Sequence, residues 1–140
     1  MSDRLFTVHE ANALIPKLEF LVAKLQRLRI TLNTQIEAVA EATGLPAATL
    51  TAVQLVELRP ELSAVIAELD QLLGDIEACG GQFKGLDLGL VDFPAEINGK
   101  VVLLCWQFGE QEISYYHSLE GGFAGRKPLN PKGAPVRYLQ

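Results

Sequence analysis

The stretch LDLGLVDFPAEINGKVVLLCWQFGEQEISYYHSL, residues 86–119, decides the fold. It holds three apolar or alternating runs: Leu86 to Phe93, Lys100 to Phe108 and Ile113 to Leu119. Asn98-Gly99 joins the first two, and both residues tolerate the positive φ of a type I′ turn, so the pair predicts a tight hairpin. Gly109-Glu110-Gln111-Glu112 joins the last two, and the expectation is a three-stranded antiparallel sheet. Two-residue closure pairs Ile97 with Lys100, hence Phe93 with Leu104, Asp92 with Cys105 and Val91 with Trp106. Pairing Phe108 with Ile113 sets Trp106 against Tyr115, Cys105 against Tyr116 and Leu104 against His117. A one-residue slip in that second loop would exchange the third strand's faces; the stated register keeps Ile113 beside Phe108 and Trp106. Alternation then places Val91, Phe93, Leu104, Trp106, Tyr115 and His117 on a core face, and Asp92, Cys105 and Tyr116 on a half-polar one.

Ahead of the sheet the periodicity changes to that of helices. Thr7 and Glu10 form a capping-box pattern, followed by a heptad seam of Leu14, Leu18, Leu21, Leu25, Leu28 and Leu32. Pro16 lies deep enough to bend the opening turns, and Gly44-Leu45-Pro46 ends a helix expected over 7–43. A second seam runs through Leu55, Leu58, Leu62, Val65, Leu69, Leu72, Ile76 and Cys79, and Gly80-Gly81 stops it. Pro60 either separates a short helix (47–58) from a longer one (60–79) or kinks a single helix. The fold class is therefore α+β in one domain: a long antiparallel helical hairpin (7–80), a small three-stranded antiparallel sheet (86–119), and a Pro/Gly-rich basic tail (120–140) extended along the surface. The seams are flanked by Ile15, Val22, Ile36, Ile66 and Leu73, wider stripes than one hairpin buries. A homodimer through the helical hairpin, forming a four-helix bundle, covers them most simply.

Charge narrows the partners. The net charge is −5, and residues 126–140 hold Arg126, Lys127, Lys132 and Arg137 with no acid, after an acidic stretch over 46–125. Four cations on an acidic protein argue against a nucleic-acid partner, which needs aligned cations to displace counter-ions. No apolar run reaches the length of a membrane span. Met1-Ser-Asp-Arg lacks the apolar stretch and cleavage site that make a signal peptide, so a cytoplasmic setting with Cys79 and Cys105 as free thiols is expected.

The chemistry-bearing residues are few. His117 changes charge near neutral pH and is the obvious ligand type for a divalent metal ion, with Glu110, Glu10 or Asp92 as carboxylate partners. No standard ligand spacing positions them, and a hydrogen-bonded structural histidine is the plainer reading. Cys105 with His117 would suit thiol catalysis, but the preferred register sends them to opposite faces. Asp92, in an apolar strand, needs a partner, and Tyr116 or Arg126 are the available ones. The run Gly121-Gly122-Phe123-Ala124-Gly125-Arg126-Lys127 could seat a small anionic ligand at Arg126, though it lacks the phosphate-loop pattern. His9 falls in a first helical turn, where exposure is the default.

These short motifs resemble the prokaryotic domain-of-unknown-function family 2203. The likeness rests on Phe6-Thr7-x-x-Glu10-Ala11-Asn12-x-Leu14-x-Pro16, Gly89-Leu90-Val91-Asp92-Phe93-Pro94, Leu104-Cys105-Trp106-x-x-Gly109-Glu110, Tyr116-His117 and Gly122-Phe123-x-Gly125-Arg126. Tyr116 stands where the family leads one to expect tryptophan. The resemblance implies no activity; it singles out Glu10, Asp92, Glu110, His117 and Arg126 as polar residues that the fold could draw together. Two functions follow as expectations: a dimeric binding or interaction module, or a metal-binding protein or metal-dependent enzyme centred on His117.

Overall fold

A computed structural model of the chain describes residues 4–129. Helices precede a five-stranded antiparallel sheet, two strands more than the hairpin signals predict. The helices are α1 (Val8–Ala13), α2 (Ile15–Thr43), α3 (Ala52–Leu58) and α4 (Leu62–Ala78). The strands are β1 (Gln82–Gly85), β2 (Leu90–Ile97), β3 (Lys100–Gln107), β4 (Tyr115–His117) and β5 (Lys127–Pro128), and they neighbour one another in chain order. Among the described residues no helix is long and apolar enough to cross a membrane.

The chain divides into two compact units, one made of the residues up to Val22 with those from Asp75 onward, the other of Ala23–Gly74. In the helical unit, Val39, Leu55 and Leu62 are buried together, with Leu32, Ile36, Leu50 and Val65 against them. Lys24 meets Glu68 at 3.2 Å. Pro60 separates two helices: α3 ends at Leu58 and α4 begins at Leu62. Leu58, expected in the seam, is exposed instead, since the helix ends there and the seam's spacing is broken.

The sheet unit opens with the capping box as expected. Thr7 Oγ1 accepts from the Glu10 N–H, and Glu10 accepts from the Thr7 N–H, which holds its carboxyl below the ordinary range. The first helix is broken where a single one was expected. Pro16 has no N–H to donate to the Asn12 carbonyl, so the ladder lapses at Leu14, and Pro16 sits in the first turn of α2 where that loss is harmless. The core of this unit gathers Leu18, Val22, Ile76, Val91, Phe93, Leu104 and Trp106, all buried. Phe6 meets Phe93 edge to face at 5.0 Å. Gly80 ends α4 at φ +96, and a Cβ there would lie 2.5 Å from the Phe6 ring, so only glycine serves.

The Asn98-Gly99 turn behaves as its residues dictate, with φ +53 and +78, and β2 pairs β3 in the expected register from Ile97↔Lys100 to Val91↔Trp106. The second hairpin does not. Its pairs are Cys105↔Tyr115, Leu104↔Tyr116 and Leu103↔His117, one residue away from the expected register. The connection takes up the difference: Gly109 has φ +103, Trp106 Nε1 donates to the Glu110 carbonyl, and Gln107 N–H donates to the Glu110 carboxylate. Ile113 stays buried, but its N–H leaves the sheet to donate to Asn12 Oδ1 of α1.

Both edge strands were missed for identifiable reasons. β1 is four residues long and contains a bulge between Phe83 and Gly85, which hides its alternation. β5 is two residues long, lies in the stretch expected as tail, and pairs Lys127 with Tyr116 and Pro128 with Tyr115. The rest of the expected basic tail, with Lys132 and Arg137, lies outside the described residues.

Candidate functional site

The slipped register decides which groups share a face. Cross-strand partners point the same way, so Asp92, Cys105, Leu103, Tyr115 and His117 occupy one side of the sheet, and Val91, Phe93, Leu104, Trp106 and Tyr116 the other. His117 thus moves from the core face to the face of Asp92 and Cys105, while Tyr116 leaves it.

Three neighbouring strands therefore present a carboxylate, a thiol and an imidazole to one point. Asp92 on β2, Cys105 on β3 and His117 on β4 are each buried, and they offer an O, an S and an N atom all within 4.8 Å of one another. His117 Nε2 lies 3.0 Å from Asp92 Oδ2, and its Nδ1 lies 2.7 Å from the Ser118 carbonyl. A carbonyl only accepts, so Nδ1 carries a proton and donates to it. Nε2 and Oδ2 then hold one further proton between them. The second carboxylate oxygen, Asp92 Oδ1, is buried without a hydrogen-bond partner among the described residues. Burial pushes the Cys105 thiol up to about 12, reinforced by the Asp92 charge and opposed by Arg126. Cys105 is thus a neutral thiol at physiological pH, a poor nucleophile.

A cavity of about 260 Å³ opens beside these groups. Leu90, Leu103, Leu119 and Phe123 supply apolar wall, and Lys84 and Glu120 stand around it. Residues 118–126 leave β4 and form part of that wall before the chain re-enters the sheet as β5. Ser118 at one end of this strap orients His117 through its carbonyl, and its hydroxyl accepts from the Gly121 N–H.

Arg126 closes the other end. Its guanidinium lies 4.0 Å from the Tyr115 ring centroid and 4.9 Å from that of Phe123. Its NH2 group reaches both Glu110 oxygens, at 3.1 and 2.9 Å, in a half-buried pair. Glu110, named with His117 as a metal partner, thus already serves Arg126 and the Gln107 N–H. Arg126, named for anions, is paired with Glu110 and packed against the Tyr115 and Phe123 rings, while its Nε is buried without a hydrogen-bond partner among the described residues. Glu10 caps α1 and pairs with Arg4 at 3.6 Å, away from the trio. Of the six named residues, Asp92 and His117 are brought into contact, while Cys105 is the group that the preferred register kept apart from His117. A signal for it existed: a buried carboxylate demands a partner, and only the alternative register gives Asp92 the imidazole.

The fold and site define a protein of helices and a five-stranded antiparallel meander, with an aspartate, a cysteine and a histidine buried together on three adjacent strands. The chain belongs to the uncharacterized conserved protein family DUF2203, which matches residues 4–129. Comparison with curated proteins and with solved structures returned no match.

Proposed function

We propose that this protein binds a divalent metal ion through Asp92, Cys105 and His117. The observation that carries the reading is Asp92 Oδ1, a buried carboxylate oxygen with no hydrogen-bond partner among the described residues, placed in reach of a thiol and an imidazole. Burying such an oxygen unpaired is costly, and a cation would satisfy it. A mixed O, N, S donor set suits a borderline ion, zinc before magnesium or calcium, which prefer oxygen alone. The supporting geometry extends outward: Nδ1 donates to the Ser118 carbonyl, which leaves Nε2 as the ligating atom, the arrangement that outer hydrogen bonds impose on metal-bound histidines. The reading names binding and no reaction.

Elemental analysis tests it. Protein purified without chelator, or reconstituted with zinc, is expected to carry an equimolar ion that Asp92→Ala, Cys105→Ala and His117→Ala each release. A chain that takes up no zinc, cobalt, iron or manganese after reconstitution overturns it.

The helical unit supports a second reading, the dimeric interaction module. Val53 is 68 % and Ile30 65 % exposed, and an apolar groove of about 440 Å³ runs between Val53, Val56, Ile66 and Ala67. A second copy laid along this unit would bury these side chains in a helical bundle. Light scattering is expected to give twice the chain mass, and Val53→Glu to halve it; a strict monomer at high concentration removes this reading.

A further inference from the structure

We infer that the cavity beside Asp92, Cys105 and His117 takes a small monocarboxylate with an apolar body, its head group on the bound metal and its chain among Leu90, Leu103, Leu119 and Phe123. The inference rests on the metal reading above and adds what occupies the remaining coordination position. Among the described residues no fourth His, Cys, Asp or Glu joins the group, and three protein donors are the mark of a zinc site left open to an outside ligand rather than a closed structural one. The open position has far more room than a water needs. A water occupies about 30 Å³ of liquid, so a cavity of about 260 Å³ holds on the order of eight water-sized groups.

The wall fixes the chemistry of the rest. Four of the residues around the cavity are Leu or Phe, which reward an apolar body and cannot pair a second polar group. Lys84 sets the sign of the head. It is the extra residue in the bulge of β1, between the Phe83↔Val91 and Gly85↔Leu90 pairs, and bulges re-aim side chains at such places. It faces the cavity and forms no ion pair among the described residues. Glu120, on the strap, opposes Lys84, and the Asp92 carboxylate and Cys105 thiolate balance the ion's two charges, so the head is held by its bond to the metal and by the nearby ammonium. Length is bounded too: a head of three heavy atoms and a body of about five fill the space, which describes a six-carbon acid or benzoate.

The experiment uses the full chain loaded with cobalt, whose visible bands report ligand exchange. Failure to form a thiolate–cobalt band, or its persistence in Cys105→Ser, would defeat the metal reading and this inference with it. With cobalt bound, acetate, butyrate, hexanoate, benzoate and decanoate are titrated. Affinity is expected to rise about fourfold for each methylene buried, up to six carbons, and to stop rising at decanoate. Lys84→Ala, an exposed position that folding tolerates, is expected to weaken every carboxylate severalfold and to leave neutral imidazole unchanged. Bands that no carboxylate shifts, an affinity independent of chain length, or equal binding of acids by Lys84→Ala overturns the inference while cobalt binding stands.

Discussion

Removing Asp92 from the metal-free protein should cost more than an ordinary surface or core change, and the structure sets how much. Its Oδ2 holds His117 Nε2 at 3.0 Å, and the two side chains are only 4 % and 3 % exposed. A hydrogen bond with a charged member contributes about 1.5–3 kcal/mol, and deleting one partner of a buried pair costs about 3–5 kcal/mol because the survivor stays desolvated. Asp92→Ala also removes the unpartnered Oδ1, which offsets part of that loss. The expected cost is about 3 kcal/mol, a large share of the ~5–15 kcal/mol that a domain has. Asp92→Asn keeps a donor for the neutral imidazole and should lose roughly half as much. Urea unfolding with chelator present measures both, with His117→Ala and the double variant completing a cycle. The double variant should be little worse than either single one. An Asp92→Ala protein within ~1 kcal/mol of the parent, or single costs that simply add, would refute the pairing as a source of stability.

Other outcomes follow from the same side chains. Metal uptake should release two protons per ion, one from Cys105 and the one shared by Asp92 and His117, which calorimetry in buffers of different ionisation enthalpy counts directly. Because folding raises Cys105 from 9.0 to about 12, its stabilisation of the metal-free fold is complete below about pH 9 and is lost as pH climbs toward 12. The parent should therefore lose up to ~1.4 kcal/mol more per pH unit there than Cys105→Ala does. Arg126→Gln and Glu110→Gln should each free the strap by about 1–2 kcal/mol, seen as roughly tenfold faster alkylation of Cys105, with the double variant no faster than either.

What the residues revealed beforehand depended on how tightly each local rule binds. Asn98-Gly99 admits one turn geometry, so the β2–β3 register and the shared face of Asp92 and Cys105 could be read outright. Thr7 and Glu10 fixed a helix start in the same way. The four-residue Gly109–Glu112 connection has no such constraint. Placing Ile113 beside Phe108 satisfied hydrophobic contact yet ignored that Ile113 could stay buried while its N–H bonded Asn12, 101 positions away. That long-range bond is invisible to local patterning, and with it went the correct face for His117. The short edges β1 and β5 carry too few residues to show alternation at all. For the site, residue types were legible and company was not: Glu110 and Arg126 each had a chemical use, and the fold spends them on one another.

Pro94 lies in β2 past the last β1 pair, Gln82↔Asp92, where that side of the strand would otherwise stand open. Its carbonyl accepts from the Phe6 N–H at 2.7 Å, so the main-chain groups of this residue face the outer side, and proline offers no hydrogen there for a foreign strand to grip. That stretch of β2 is thereby closed to edge-to-edge pairing. Replacing this ring with alanine would restore a donor at the border and invite end-to-end polymers of the meander, a failure visible as thioflavin-positive aggregates long before the native fold is lost.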